Sequence, residues 1–151
     1  PPEVILCGYH RMGRVLIEDV KKLSRRFLIV DFDPQAIARL REDKIPALYG
    51  DASDESFLSY ARAHEAKVII STIPNVAVSL ALLAYLKQRQ FAGVVIVTAR
   101  SHFEAAECYD AGATYVIIPS VLGAERFREL LKKMRTTKSS WQRFGKTAKI
   151  G

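Results

Sequence analysis

The sequence lacks an apolar run long enough to cross a membrane. Its longest apolar stretch, Val76–Leu86, is about half of the roughly 20 residues that a spanning helix needs. No signal-peptide pattern opens the chain. Strand-like residues follow directly on Pro1-Pro2-Glu3, an abrupt start that reads as a domain cut from something longer. Cysteine is scarce as well. Cys7 falls in an apolar strand-like run and Cys108 in a helical pattern, which is too few for a disulfide framework. Buried thiols in a reducing, cytosolic setting are expected. Signatures of catalysis are also missing. There is no Tyr-x-x-x-Lys pair, no G-x-S-x-G elbow and no Cys/His group at metal-ligand spacing. His64 and His102 stand apart from each other and from Cys108. No repeat or low-complexity segment occurs. These absences point away from an enzyme or a metal site and toward a binding module.

One further absence locates the charge. The net charge is +7, but the last 21 residues contain no acid and seven bases: Lys132, Lys133, Arg135, Lys138, Arg143, Lys146 and Lys149. Everything before Leu131 sums to zero. A neutral body with a basic tail is not a nucleic-acid surface. A solvated run is the ordinary reading of such a tail, and weak contact with acidic lipid headgroups is the alternative.

What is present is a strict alternation. At 151 residues the chain fits one domain with a real core. Val4–Cys7, Phe27–Val30, Ala47–Tyr49, Lys67–Ser71, Val94–Thr98 and Tyr115–Ile118 read as strands, each followed by a helical period. The strands are continuous apolar runs, as parallel strands buried on both faces should be. The expected fold is therefore α/β, a Rossmann-like doubly wound six-stranded parallel sheet with helices on both faces. Met12, Val15, Leu16, Val20 and Leu23 are expected on one face of the first helix. Gly93 is expected to cap the helix that begins at Asn75. The pattern stops near residue 135, so the domain reads as 1–119, a helix over 120–135 and a basic, flexible tail over 136–151.

In such a sheet ligands bind outside the carboxyl ends of the strands. The stretch VILCGYHRMGRV holds Gly8 at the end of strand one and Gly13 at the opening of a helix. This is a strand–turn–helix unit suited to a phosphate. A G-x-G-x-x-G loop would have glycine at position 10, where this chain has His10. Arg11 is placed to reach a phosphate as a charged fork. Asp31 falls 23 residues after Gly8, at the end of strand two, where an acid holds ribose hydroxyls and repels a 2′-phosphate. Asp33 competes for that role but precedes Pro34 as an N-cap should, whereas Asp31 has no evident local use. Asp51 reads either as a turn residue near Ser53 or as a partner of an adenine amino group. Thr72 to Asn75 would flank a ligand from the other side, and Arg100 is a second candidate cation.

These residues resemble those of the RCK (KTN, TrkA-N) domains, the cytoplasmic regulators of potassium channels and cation transporters. The matching segments are CGYHRMGR, IVDFDP, YGDASDESFL, VIISTIPN and GATYVIIP, which together span roughly residues 4 to 119. The GYHRMG form is similar to the C-terminal domains of bacterial cation:proton antiporters. The resemblance implies an adenine nucleotide, NAD(H) or AMP, ADP or ATP, in the crevice. It assigns Gly8, His10, Arg11 and Gly13 to the phosphates and Asp31 to the ribose, with Tyr9, Met12 and Phe32 also in the binding set. Asp51 and Ala52 would meet the adenine, with Thr72, Asn75 and Arg100 nearby. It also implies an attached membrane transport protein, a cytosolic location, and a homodimer paired through the crossover helix Val121–Met134. Two other readings remain: the cofactor-binding fragment of an NAD-dependent oxidoreductase, and a degenerate dimerisation scaffold.

Overall fold

The computed structural model describes residues 1–10 and 12–148. Six strands form one sheet in the order β3-β2-β1-β4-β5-β6, and every pairing is parallel. In chain order the elements are β1 (Val4–Cys7), α1 (Met12–Leu23), β2 (Phe27–Asp31), α2 (Pro34–Glu42), β3 (Ala47–Tyr49) and α3 (Glu55–Tyr60). A single 3-10 turn, Ala63–Glu65, leads into β4 (Val68–Ser71), α4 (Val76–Gln88), β5 (Val94–Thr98), α5 (His102–Asp110) and β6 (Tyr115–Ile117). The expected doubly wound, Rossmann-like sheet is what forms.

All four residues of β1 are buried because the strand lies centrally and both of its faces are covered. Val4 and Leu6 point into one core with Val20, Ile29, Ile37, Leu40 and Ala47. Ile5 and Cys7 point into the other, with Val30, Ile69, Leu82, Leu86, Val95 and Val97. Alternate residues of one strand therefore serve two helical layers. Each buried Leu or Ile contributes about 1.5–3 kcal/mol over its exposed state. Burial also pushes the Cys7 thiol up to about 12, so it packs as a small hydrophobe.

The helices start where their caps dictate. Asp33 accepts from Gln35 N–H, Asp54 from Ser56 N–H, Asn75 from Val78 N–H and Ser101 from Glu104 N–H. Glu104 reaches back to the N–H of Arg100 at 3.1 Å, one residue before the cap, an offset form of a capping box.

Two local expectations are corrected. The buried face of α1 carries Gly13 and Val20 with Leu16 and Ile17 part-buried, while Val15 and Leu23 are exposed. The helix is rotated so that Gly13 meets the carbonyl of Gly8, where a Cβ would overlap the oxygen. Gly93 is not the cap of α4. That helix ends at Gln88, and Gln90 takes the left-handed conformation at φ 55°. Gly93 is required for a different reason: a Cβ there would collide with the carbonyl of Lys67 and the ring of Phe91.

Residues Pro1–Ile118 form one compact unit and Pro119–Gly151 a second. The second unit holds α6 (Pro119–Met134) and α7 (Lys138–Ala148). A flexible tail was expected from residue 136, yet the chain is helical from Lys138 to Ala148. Trp141 supplies the reason. Its ring lies 6.0 Å from that of Phe127 on α6, and its Nε1–H donates to the carbonyl of Arg135 at 3.0 Å. An aromatic anchor inside a basic run gives the segment an apolar side that the charge count conceals. No helix among the described residues is long and apolar enough to cross a membrane.

Candidate functional site

Of the sequence-predicted residues, Gly8, Tyr9, His10, Met12 and Gly13 follow β1, Asp31 and Phe32 lie at the end of β2, Thr72 and Asn75 follow β4, and Asp51 with Ala52 and Arg100 follow β3 and β5. Strands β1 and β4 are neighbours, joined across the switch in chain order. Gly8 leaves β1 at φ +94°, a conformation that favours glycine. A Cβ at Gly8 would also crowd the Thr72 hydroxyl and the Ile73 side chain. The Thr72 hydroxyl lies 3.0 Å from the Gly8 carbonyl and 3.2 Å from that of Cys7, placed to donate to either. Gly8 thus permits a sharp turn and Gly13 a close approach of α1 to that turn.

Asp31 is the centre of this arrangement. It ends β2, is 8% exposed and is one of few buried polar residues among those described. Its Oδ2 accepts the N–H of Tyr9 at 2.7 Å and its Oδ1 accepts the N–H of Asp33 at 2.9 Å. Asp31 thus has a local use that the sequence did not reveal: it ties the glycine turn to the end of β2. Two carboxylate oxygens provide about four acceptor positions, so both bonds leave capacity for a ligand's hydroxyls. The Gly8 N–H donates to Val30 O at 2.8 Å, and the Gly50 N–H to Asp31 O at 3.0 Å. The turns after β1 and β3 are thereby held against β2.

The remaining residues divide. Tyr9 is half-buried, its ring packed against the core beside α1 and 6.4 Å from the His10 ring, while its backbone N–H serves the turn. His10 extends across the turn, its Nε2 2.8 Å from Asp33 Oδ2. Met12 and Gly13 open α1, whose first turn carries no acid, and a helix N-terminus favours an anion. Arg11 lies outside the described residues. Phe32 is exposed and stacks on Tyr49, ring centroids 5.2 Å apart at 20°. Asp51 accepts from both the N–H and the hydroxyl of Ser53, at 2.8 and 2.6 Å, the turn-residue geometry. Ala52 is buried in the core. Asn75 spends its side-chain oxygen on the cap of α4. Arg100 is exposed after β5. Among the described residues no group of three or more His, Cys, Asp or Glu is placed to hold a metal ion.

Two contacts are not visible in the sequence. Asp33 reads there as the α2 cap and as a competitor of Asp31 for a ribose, and in the structure its second oxygen faces His10. The signal was the matched spacing of Gly8–His10 against Asp31–Asp33. Tyr49 was read only as a strand residue. It pairs in register with Asp31, which places its ring beside Phe32.

The carboxylate at the end of β2, the two-glycine turn and the parallel order define a Rossmann-like domain. The family model of the TrkA-N domain matches residues 4–119, and the chain belongs to that family. It is 30% identical over 131 residues to the probable potassium channel protein 2 of Methanocaldococcus jannaschii, covering 83% of this chain and 38% of that protein. It is 33% identical over 87 residues to the glutathione-regulated potassium-efflux system protein KefC of Klebsiella pneumoniae, covering 58% of this chain and 14% of that protein. The chain thus spans well under half the length of these relatives. Among solved structures, the TrkA-N domain of the inner membrane protein YbaL from Escherichia coli superposes with a TM-score of 0.78 at 27% identity, over 85% of this chain and 96% of that one. The Kef C-terminal domain of Shewanella denitrificans, in an AMP-bound form, has the same fold. Its TM-score is 0.73 at 20% identity, over 97% of this chain and 90% of that one. The relatives are potassium channel and efflux proteins.

Proposed function

We propose that this domain binds an adenine nucleotide at the carboxyl edge of its sheet and thereby regulates a membrane protein that moves potassium or another cation. The observation that carries the reading is the buried Asp31 carboxylate, fixed beside the Gly8–Gly13 turn with acceptor capacity to spare. An adenosine ribose would place its hydroxyls on Asp31, and its phosphate would lie at the N-terminus of α1. A 2′-phosphate would face that same carboxylate and be rejected. Phe32 and Tyr49 offer an aromatic surface beside the ribose position. The AMP in the Shewanella domain and the potassium transport relatives support this assignment.

Regulation follows if the nucleotide binds one arrangement of the domain better than another, since a ligand shifts an equilibrium only by its differential affinity. In this reading the domain faces the cytosol as part of a channel or cation:proton antiporter. It pairs with a second copy through α6, which exposes Leu122, Phe127 and Leu131. The basic α7 makes weak contact with acidic lipid headgroups. The direct test is amide chemical-shift mapping with AMP, ADP, ATP, NAD and NADH in turn. Shifts confined to residues 8–13, 31–33 and 50–53 and the first turn of α4 with at least one of them support the reading. Absent or scattered shifts with all five at millimolar concentration contradict it.

A further inference from the structure

Three consecutive residues of the turn are tied to the end of β2, and the ties differ in kind. Gly8 and Tyr9 use backbone N–H groups, toward Val30 O and Asp31 Oδ2, in part-buried positions. His10 uses its side chain, with Nε2 2.8 Å from Asp33 Oδ2. The His10 side chain is 57% exposed and that of Asp33 is 35% exposed, so solvent weakens this third tie. Asp33 remains a carboxylate, held below its ordinary range first by the Gln35 N–H and then by His10. A carboxylate only accepts hydrogen bonds, so Nε2 must carry the proton in this contact. The same N–H stands two residues before Met12, where α1 begins and where its dipole favours an anion. One donor therefore faces two acceptors of like charge, the Asp33 carboxylate and any phosphate seated at α1.

We infer that His10 and Asp33 form a clasp that a nucleotide's phosphate opens. The imidazole leaves Asp33 Oδ2 and donates to a phosphate oxygen. The α2 cap survives the exchange, because it uses the other oxygen, Oδ1. The inference rests on the nucleotide-binding reading and adds a specificity to it. Adenosine offers nothing to draw His10 from Asp33, so the site selects phosphorylated over unphosphorylated adenosine. His10 thus replaces the close backbone approach of a missing glycine with a side-chain donor.

The test is calorimetry with AMP and with adenosine on the whole 151-residue chain, alongside His10→Ala and Asp33→Asn. Asparagine remains a good N-cap, so Asp33→Asn removes the competing charge without opening α2. Asp33→Asn is expected to tighten AMP about threefold or more and leave adenosine within twofold. His10→Ala is expected to weaken AMP about tenfold, the worth of one charge-assisted hydrogen bond. The His10 ring proton resonances should move on adding AMP and stay in place on adding adenosine. AMP binding as tight or tighter in His10→Ala overturns the clasp, as does Asp33→Asn weakening both ligands alike. In either case the nucleotide reading stands. No binding of AMP or adenosine to the wild type and both variants overturns the clasp, and no binding of ADP, ATP, NAD or NADH either overturns the nucleotide reading with it.

Discussion

The Asp31 carboxylate accepts the backbone N–H of Tyr9 across 2.7 Å, joining residues 22 apart in the chain. This bond makes one side chain both a brace of the glycine turn and the acid expected at a ribose. Loss of the carboxylate leaves the part-buried N–H groups of Tyr9 and Asp33 without acceptors, each costing up to about 1–3 kcal/mol. Asp31→Ala should therefore lower stability by about 2–4 kcal/mol without any ligand, read as a lower urea midpoint at unchanged m-value. A midpoint within 0.5 kcal/mol of the wild type (roughly the scatter of neutral surface changes) would mean that the brace is idle.

The glycines separate close packing from mere helix propensity. A Cβ at Gly13 overlaps the Gly8 carbonyl, whereas a Cβ at Gly123 meets open space on α6. Gly13→Ala is expected to destabilise by about 1–3 kcal/mol through forced separation of α1 from β1. Gly123→Ala is expected to stabilise by about 0.5–1 kcal/mol. Thermal unfolding of the two variants should move the midpoint in opposite directions.

Acid sensitivity has a named source at the opposite end of β1. Glu3 is bonded by the Ser24 hydroxyl first, then by Arg26 and Lys67, which lower its carboxyl from 4.5 to about 2. A carboxyl depressed in the folded state stabilises fully above its unfolded value and loses that contribution as pH falls through its folded value. Stability should hold above pH 4.5 and decline from there toward pH 2. Glu3→Gln should flatten that decline. A Glu3 carboxyl titrating near 4.5 by NMR would remove Glu3 from the account.

Both cysteines are buried, and desolvation raises both thiols. Neither should react with a thiol reagent at pH 8 in the folded protein, and both should react in denaturant. Rapid modification of one thiol without denaturant would show that its packing opens readily.

Phe127 and Leu131 lie one turn apart on α6, and both are exposed. If α6 pairs two copies of the chain, Leu131→Asp should convert a dimer to a monomer in light scattering. A monomer in the wild type, or a dimer that survives the substitution, would reject pairing through this face.

The fold was legible because its strands are short, largely apolar and spaced by helical periods, which leaves little choice beyond a parallel sheet. The positions of Gly8, Gly13 and Asp31 were legible for the same reason, as ends of elements. What each residue spends its hydrogen bonds on was not legible. Asp31 appeared idle because Tyr9 and Asp33 reach it only after β1 and β2 pair. Gly93 suggested a cap because glycine near a helix end usually is one, but a contact with Lys67, 26 residues away, sets its requirement. Val15 fitted the helical period, and only the Gly13–Gly8 contact fixes which way α1 faces. The helix α7 was hidden because Trp141 sits within a run of bases.

The central claim is that this domain holds an adenine nucleotide on Asp31. Thermal unfolding of the wild type with AMP, ADP, ATP, NAD, NADH and NADP tests it most directly, with Asp31→Ala compared by its ligand-induced increment. A ligand at 100 times its Kd adds about 2.7 kcal/mol, a rise of roughly 5–10 °C for a domain of this size. The account predicts such a rise with at least one of the first five, little with NADP, and no increment in Asp31→Ala. Equal rises with NADP, or no rise with any of the six, would contradict it.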